Sequence, residues 1–172
     1  MRGERGWVVY VTGLPGAGKS TLAATLVARL RELGEATLLL DGDDLRAALS
    51  PTPGYDERGR EDFYATLGQL AVLAARQGLI VVVAATAMRR AWRDRARHLA
   101  PRFLEVHVAT SAAECARRDP KGLWAAARRG ELAHLPGLDE EYEPPRDAEV
   151  TAAGGHDEAA LGALVDRLRS RA

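Results

Sequence analysis

The chain alternates short, continuously apolar runs with longer stretches in which apolar residues recur every three to four positions. Trp7-Val8-Val9-Tyr10-Val11, Ala36-Thr37-Leu38-Leu39-Leu40, Leu79-Ile80-Val81-Val82-Val83-Ala84 and residues 103–109 read as strands. Leu22, Ala23, Leu26, Val27, Leu30 and Leu33 form a helical stripe that Gly34 ends. Further helices are predicted through Leu45 and Leu49, over 61–77 up to Gly78, over 89–99 before Pro101, after the capping box Ser111-Ala112-Ala113-Glu114, over 123–129, and over 157–169. A short strand is expected at 149–151. Strands separated by helices in this way predict repeated βα units, hence an α/β fold in three layers with a mostly parallel central sheet. The unbroken apolar run of the third strand predicts a central position, covered on both faces. Residues 50–59 are a Pro- and Gly-containing loop. Residues 119–145 are polar and irregular apart from one short helix, and a connection of that length predicts a functional lid.

The phosphate-binding pattern lies between the first strand and the first helix. Gly13-Leu14-Pro15-Gly16-Ala17-Gly18-Lys19-Ser20-Thr21 reads G-x-x-x-x-G-K-S, the P-loop. Glycines let successive backbone N–H groups curl round a phosphate, and the helix that follows adds its positive end. Lys19 is expected to reach the β- and γ-phosphates of ATP, and the Ser20 hydroxyl to ligate Mg²⁺. The fold predicted is therefore the P-loop NTPase fold with a lid, in a single domain over 1–172.

Composition narrows the partners. The chain has 24 basic and 24 acidic residues, a net charge of +0, which argues against a nucleic-acid or polybasic membrane binder. The one cysteine, Cys115, cannot close an internal disulfide and is expected to be a small buried residue, in a reducing compartment. Residues 1–6 are too polar and short for a signal peptide, and the longest apolar run, 79–88, is too short to span a bilayer. A cytoplasmic protein acting on a small molecule is expected. The basic residues are nearly all arginine; lysine is kept at Lys19 and Lys121 alone. Since Lys19 needs a compact point charge, Lys121 becomes a second functional candidate.

Ligands of a parallel sheet bind at the carboxyl ends of its strands. Asp41 and Asp43 follow the second strand at that edge, where carboxylates suit metal coordination and positioning of an acceptor hydroxyl. Arg90 follows the third strand and is expected to reach the substrate; Arg89, Arg93, Arg95 and Arg97 read as a solvated helix face. The four histidines lack metal-ligand spacing. Asp56-Glu57-Arg58-Gly59 matches the D-x-x-G of GTPases but follows a loop, and reads as coincidence. No terminal Asp of Walker B type follows the third strand, which favours a small-molecule kinase over a motor.

These residues resemble the adenylylsulfate (APS) kinase family. Gly13 to Thr21 is similar to G-L-S-G-S-G-K-S-T, Leu40-Asp41-Gly42-Asp43-Asp44-Leu45-Arg46 to L-D-G-D-N-x-R, and Arg118-Asp119-Pro120-Lys121-Gly122-Leu123-Trp124 to R-D-P-K-G-L-Y. Gly137-Leu138-Asp139 and Tyr142-Glu143-Pro144 resemble G-I-D and Y-E-x-P. The resemblance implies ATP- and Mg²⁺-dependent phosphorylation of the ribose 3′-hydroxyl of adenosine 5′-phosphosulfate. It implies that Asp43 serves the acceptor, that Arg46 and Arg60 hold the phosphosulfate, and that Tyr55 stacks on adenine; Ser20 and Asp43 are the residues expected, from the P-loop and the strand edge, to hold metal. Arg118 and Lys121 belong to the lid, Arg118 toward the nucleotide and Lys121 toward the reacting groups.

The departures fall on the acceptor side. The family's D-R-x-x-N-I-R-R becomes Gly59-Arg60-Glu61-Asp62-Phe63-Tyr64-Ala65-Thr66, so an asparagine is Phe63 and two arginines are Ala65 and Thr66. I-S-P-Y-R becomes Thr86-Ala87-Met88-Arg89-Arg90, and a second stacking phenylalanine becomes Leu135. If Phe63 and Leu135 are lost substrate contacts, APS binds with a raised KM that Phe63→Asn and Leu135→Phe would lower. Two alternatives stay open: a kinase of another hydroxylated metabolite, such as a nucleoside or sugar, and a nucleotide-binding module without catalysis. A homodimer is kept open as the assembly.

Overall fold

The computed structural model describes residues 6–170; the residues read as no signal peptide thus lie almost entirely outside it. Five strands, β1 (Trp7–Thr12), β2 (Thr37–Asp41), β3 (Ile80–Ala84), β4 (Phe103–Val108) and β5 (Val150–Ala152), form one parallel sheet in the order β2-β3-β1-β4-β5. The connecting helices are α1 (Lys19–Glu32), α2 (Gly42–Ala48), α3 (Glu57–Arg76), α4 (Arg90–Leu99), α5 (Ala112–Arg118), α6 (Leu123–Arg128) and α7 (Glu158–Arg169). β1 is the middle strand. β3 lies second from the edge, yet all five of its residues are buried, as its apolar run requires.

Strand periodicity divides the core. Val9, Val11, Ile80, Val82, Ala84, Leu104, Val106 and Val108 face α1 and α7, where they meet Leu22, Leu26, Leu30, Leu161 and Leu164. Val8, Tyr10, Val81 and Val83 face the other way, onto Phe63, Leu67, Ala71 and Ala96 of α3 and α4. Cys115 is fully buried in the first of these clusters.

Two local details differ from expectation. Helix α3 starts at Glu57 because the Asp56 side chain accepts from the Gly59 N–H at 2.9 Å; the D-x-x-G match is this helix cap. Of the arginines on and before α4, Arg93 alone is withdrawn from the solvated face. Arg93 is 1% exposed and donates to Glu105 Oε1 (2.6 Å) and to the carbonyls of Ala87 (2.5 Å) and Glu143 (2.7 Å). Arg97 pairs with Glu105 and Glu149, Arg95 with Glu61, and Arg89 with Glu57. Helix α4 is thereby tied to β4, α3 and the chain entering β5. No helix among the described residues is long and apolar enough to cross a membrane.

Candidate active site

The turn from β1 into α1 forms the phosphate loop. Gly18 caps α1 at φ 105, and a Cβ there would stand 2.6 Å from the Gly155 backbone nitrogen, so only glycine fits. Lys19 Nζ lies inside the loop, donating to the Leu14 carbonyl at 2.9 Å. Burial pushes the Lys19 ammonium down to about 8; Lys121 lowers it further, while Cys115, Asp43 and Asp41 act in the opposite sense. Thr12, the last residue of β1, donates to the Thr86 carbonyl at 2.6 Å and lies 3.0 Å from the Tyr142 hydroxyl. The base of the loop, the turn after β3 and the end of the lid thus meet at one side chain.

The carboxylates arrive from β2. Asp41 ends that strand opposite Ala84 and caps α2, accepting from the Asp43 N–H at 3.0 Å. Its other oxygen accepts from the Ser20 hydroxyl at 2.5 Å. The carboxylate in direct contact with Ser20 is therefore Asp41. Asp43, expected to share a metal with Ser20, instead forms an ion pair with Lys121. The cause is the capping geometry: Asp41 must turn its side chain inward, whereas Asp43 lies on the first turn of α2 facing the lid. The Asp43 carboxylate holds the Lys121 ammonium above its usual value.

The lid is seated on the phosphate loop. Asp119, in a left-handed conformation at φ 32, accepts from the Trp124 and Ala125 N–H groups at 3.0 and 2.9 Å, so the chain reverses into α6. The Trp124 indole N–H donates to the Pro15 carbonyl at 2.9 Å. Gly137 lies against Leu14 and Trp124; a Cβ would stand 2.7 Å from the Leu14 side chain. These contacts hold Lys121 over Asp43. Arg118 is bonded to Glu114 at 2.6 Å and remains partly exposed.

On the acceptor side, Arg46 on α2 lies with its guanidinium carbon 4.4 Å from the Tyr55 ring centre and 3.9 Å from that of Phe63. Arg60 donates to the His134 carbonyl at 2.8 Å. Thr86 and Ala87 form the turn after β3, with Ala87 at φ 39. Arg90 begins α4, its N–H donating to Glu143 and its guanidinium to the Pro144 carbonyl. Tyr55 is 66% exposed, open to a planar partner. Phe63 and Leu135, by contrast, are 2% and 4% exposed. Phe63 is a floor beneath Arg46, and Leu135 fills the core cluster that includes Trp124, so neither reads as a surface contact that a substrate has lost. Sequence reasoning also missed Thr12, Arg93 and Trp124. Only Trp124 carried a signal, as the last residue of Arg118-Asp119-Pro120-Lys121-Gly122-Leu123-Trp124.

The donor set fits ATP with Mg²⁺. Among the described residues no three His, Cys, Asp or Glu side chains converge, as a metal cage would require. One hydroxyl and one carboxylate beside a phosphate loop suit Mg²⁺, which keeps several waters and takes phosphate oxygens. A separate groove of about 600 Å³ opens between Leu14, the end of β4 and residues 137–144; Asp43, Arg46 and Lys121 are not part of it.

Comparison with known proteins agrees with this arrangement. The family model described as adenylylsulphate kinase matches residues 5–153. The adenylyl-sulfate kinase of Vibrio vulnificus (strain YJ016) is 44% identical over 170 residues, 98% of this chain and 81% of that protein. That of Escherichia coli (strain ATCC 8739) is 42% identical over 154 residues, 88% of this chain and 77% of that protein. The APS kinase CysC of Mycobacterium tuberculosis, solved in complex with AMPPNP and APS, superposes with a TM-score of 0.89 at 34% identity, covering 96% of this chain and 99% of that one. With phosphate loop, paired carboxylates and lid lysine in one cleft and the match running through nearly the whole chain, the protein belongs to the adenylylsulphate kinase family.

Proposed function

We propose that this chain, acting as one domain with a lid over 119–145, transfers the γ-phosphoryl group of ATP to the ribose 3′-hydroxyl of adenosine 5′-phosphosulfate. The observation that carries the reading is the meeting of Lys121 with Asp43, 78 positions apart in sequence, at the mouth of the phosphate loop. A carboxylate for the acceptor hydroxyl and a mobile cation for the anions are thereby supplied on opposite sides of one cleft.

The backbone N–H groups of Leu14 and of residues 16–20 bind the β- and γ-phosphates, with Lys19 moving from the Leu14 carbonyl to a phosphate oxygen. Ser20 and Asp41 would hold Mg²⁺, which neutralises charge on the polyphosphate. Asp43 accepts the 3′-hydroxyl proton as the oxygen–phosphorus bond forms and the bond to the β-phosphate oxygen breaks; ADP leaves. For this Asp43 must exchange Lys121 for the acceptor, and Lys121 then serves the transferring phosphoryl group or the phosphosulfate. Tyr55 stacks on the APS adenine, Arg46 and Arg60 neutralise the phosphosulfate, and Thr86, Ala87 and Arg90 border the acceptor. Arg118 lies at the nucleotide side of the lid. The test is ADP release by the purified protein with ATP and Mg²⁺, with and without APS. Stimulation by a nucleoside or sugar but not by APS would move the acceptor assignment to the second kinase class.

A further inference from the structure

Arg46 is 6% exposed, and among the described residues no carboxylate pairs with it. One guanidinium nitrogen donates to the carbonyls of Pro53 and Gly54, 2.9 Å each, which ties it to the loop before α3. The rest of its charge meets the rings of Phe63 and Tyr55. Phe63 is in turn held edge-on by Tyr64 at 5.2 Å between ring centres, and Tyr64 stacks on Trp92 at 4.4 Å. A buried cation without a counter-ion is costly unless a ligand supplies the negative charge. Arg46 also lies three residues after Asp43 on α2, hence on the same helix face.

We propose that Phe63 is a positioning residue which, with Tyr55, holds Arg46 as a preformed receptor for the phosphosulfate anion at a fixed place beside Asp43. A planar guanidinium packed on aromatic rings loses little freedom when it binds an anion, so the rings set acceptor affinity rather than the chemical step. This rests on the function proposed above. It also reverses the expectation drawn from the family pattern: Phe63→Asn would not restore a polar contact but would remove the floor under Arg46 and place an amide in an apolar site. Leu135→Phe would overfill a packed core.

The test separates positioning from core filling. Phe63→Leu keeps an apolar side chain but removes the ring face. It should raise the KM for APS about tenfold, the cost of one desolvated cation–π contact, with kcat and the KM for ATP unchanged. Phe63→Tyr, which keeps the ring, should retain a near-wild-type KM, and Phe63→Asn should raise it. An unchanged APS KM in Phe63→Leu, or an equal rise for APS and ATP, would overturn the proposal. A second readout needs no substrate. The Arg46 Nε–H proton, assigned by its absence in Arg46→Lys, should resonate upfield under the ring currents in wild type and move downfield in Phe63→Leu; no movement overturns the proposal. A wild-type protein that releases no ADP with APS would refute the acceptor assignment, and the proton position would then decide the clamp by itself.

Discussion

Replacing Arg93 by methionine tests how the site is braced. The side chain is 1% exposed and bonded to Glu105, to the Ala87 carbonyl and to the Glu143 carbonyl. Methionine fills most of the volume but strands Glu105, itself largely buried, and leaves two backbone acceptors without their donor. Breaking one side of a buried ion pair costs about 3–5 kcal/mol. Arg97 still contacts the other Glu105 oxygen at 3.2 Å, so some of that cost is recovered, offset by the two lost carbonyl bonds. A net loss of about 4 kcal/mol lowers the Tm of a domain this size by about 8–16 °C. If Ala87 borders the acceptor as proposed, the KM for APS should rise while the KM for ATP changes less. The assay is urea and thermal unfolding of wild type, Arg93→Met, Glu105→Gln and the double variant. Removing the stranded charge should make the double variant less damaged than the sum of the singles, by about 1–3 kcal/mol. A loss below about 1 kcal/mol in Arg93→Met, or strict additivity, would refute the buried-hub account.

The remaining predictions concern the reacting groups. Asp43→Asn should lower kcat by about 10²-fold or more, the range for a positioned acid–base group, and steady-state kinetics at saturating ATP would reveal a mere turn residue by an unchanged kcat. Lys121→Arg should also impair turnover, since a planar fork cannot replace a compact ammonium in the proposed exchange between Asp43 and a phosphate; wild-type kinetics would contradict this. Lys19→Ala should abolish turnover while leaving the far-ultraviolet circular dichroism spectrum intact. Burial holds Lys19 near 8 in the folded protein, below its unfolded value, so the penalty for its charge is complete below pH 8 and is relieved as pH rises from about 8 to 10.4. The Lys19 contribution to stability should therefore rise across that window, and urea midpoints of wild type minus Lys19→Met should rise with it.

The strands were legible to within a residue or so because their apolar runs are local. The phosphate loop and the Asp41–Asp43 turn were legible because a backbone that wraps a phosphate, or a strand that ends in a helix cap, restricts the residue types at each position. The burial of Arg93 is not legible, for the opposite reason. Its spacing on α4 matches that of the other arginines, and the groups that bury it, Glu105 and Glu143, lie 12 and 50 residues away in sequence. By motif alone Phe63 and Leu135 stand in the places of substrate contacts; their burial is a tertiary property that a one-to-one motif comparison does not carry. The carboxylate that contacts Ser20 is Asp41 and not Asp43, because which member of Asp-Gly-Asp turns inward is decided by the cap of α2.

The most direct test of the central claim is ADP release by the purified protein with Mg²⁺ and ATP, measured as APS is titrated and with the 3′-phosphorylated product identified by mass. Saturable, APS-dependent ADP release with one product molecule for each ADP, lost in Asp43→Asn, is the expected result. ADP release indifferent to APS, or stimulated only by a sugar or nucleoside, would contradict it.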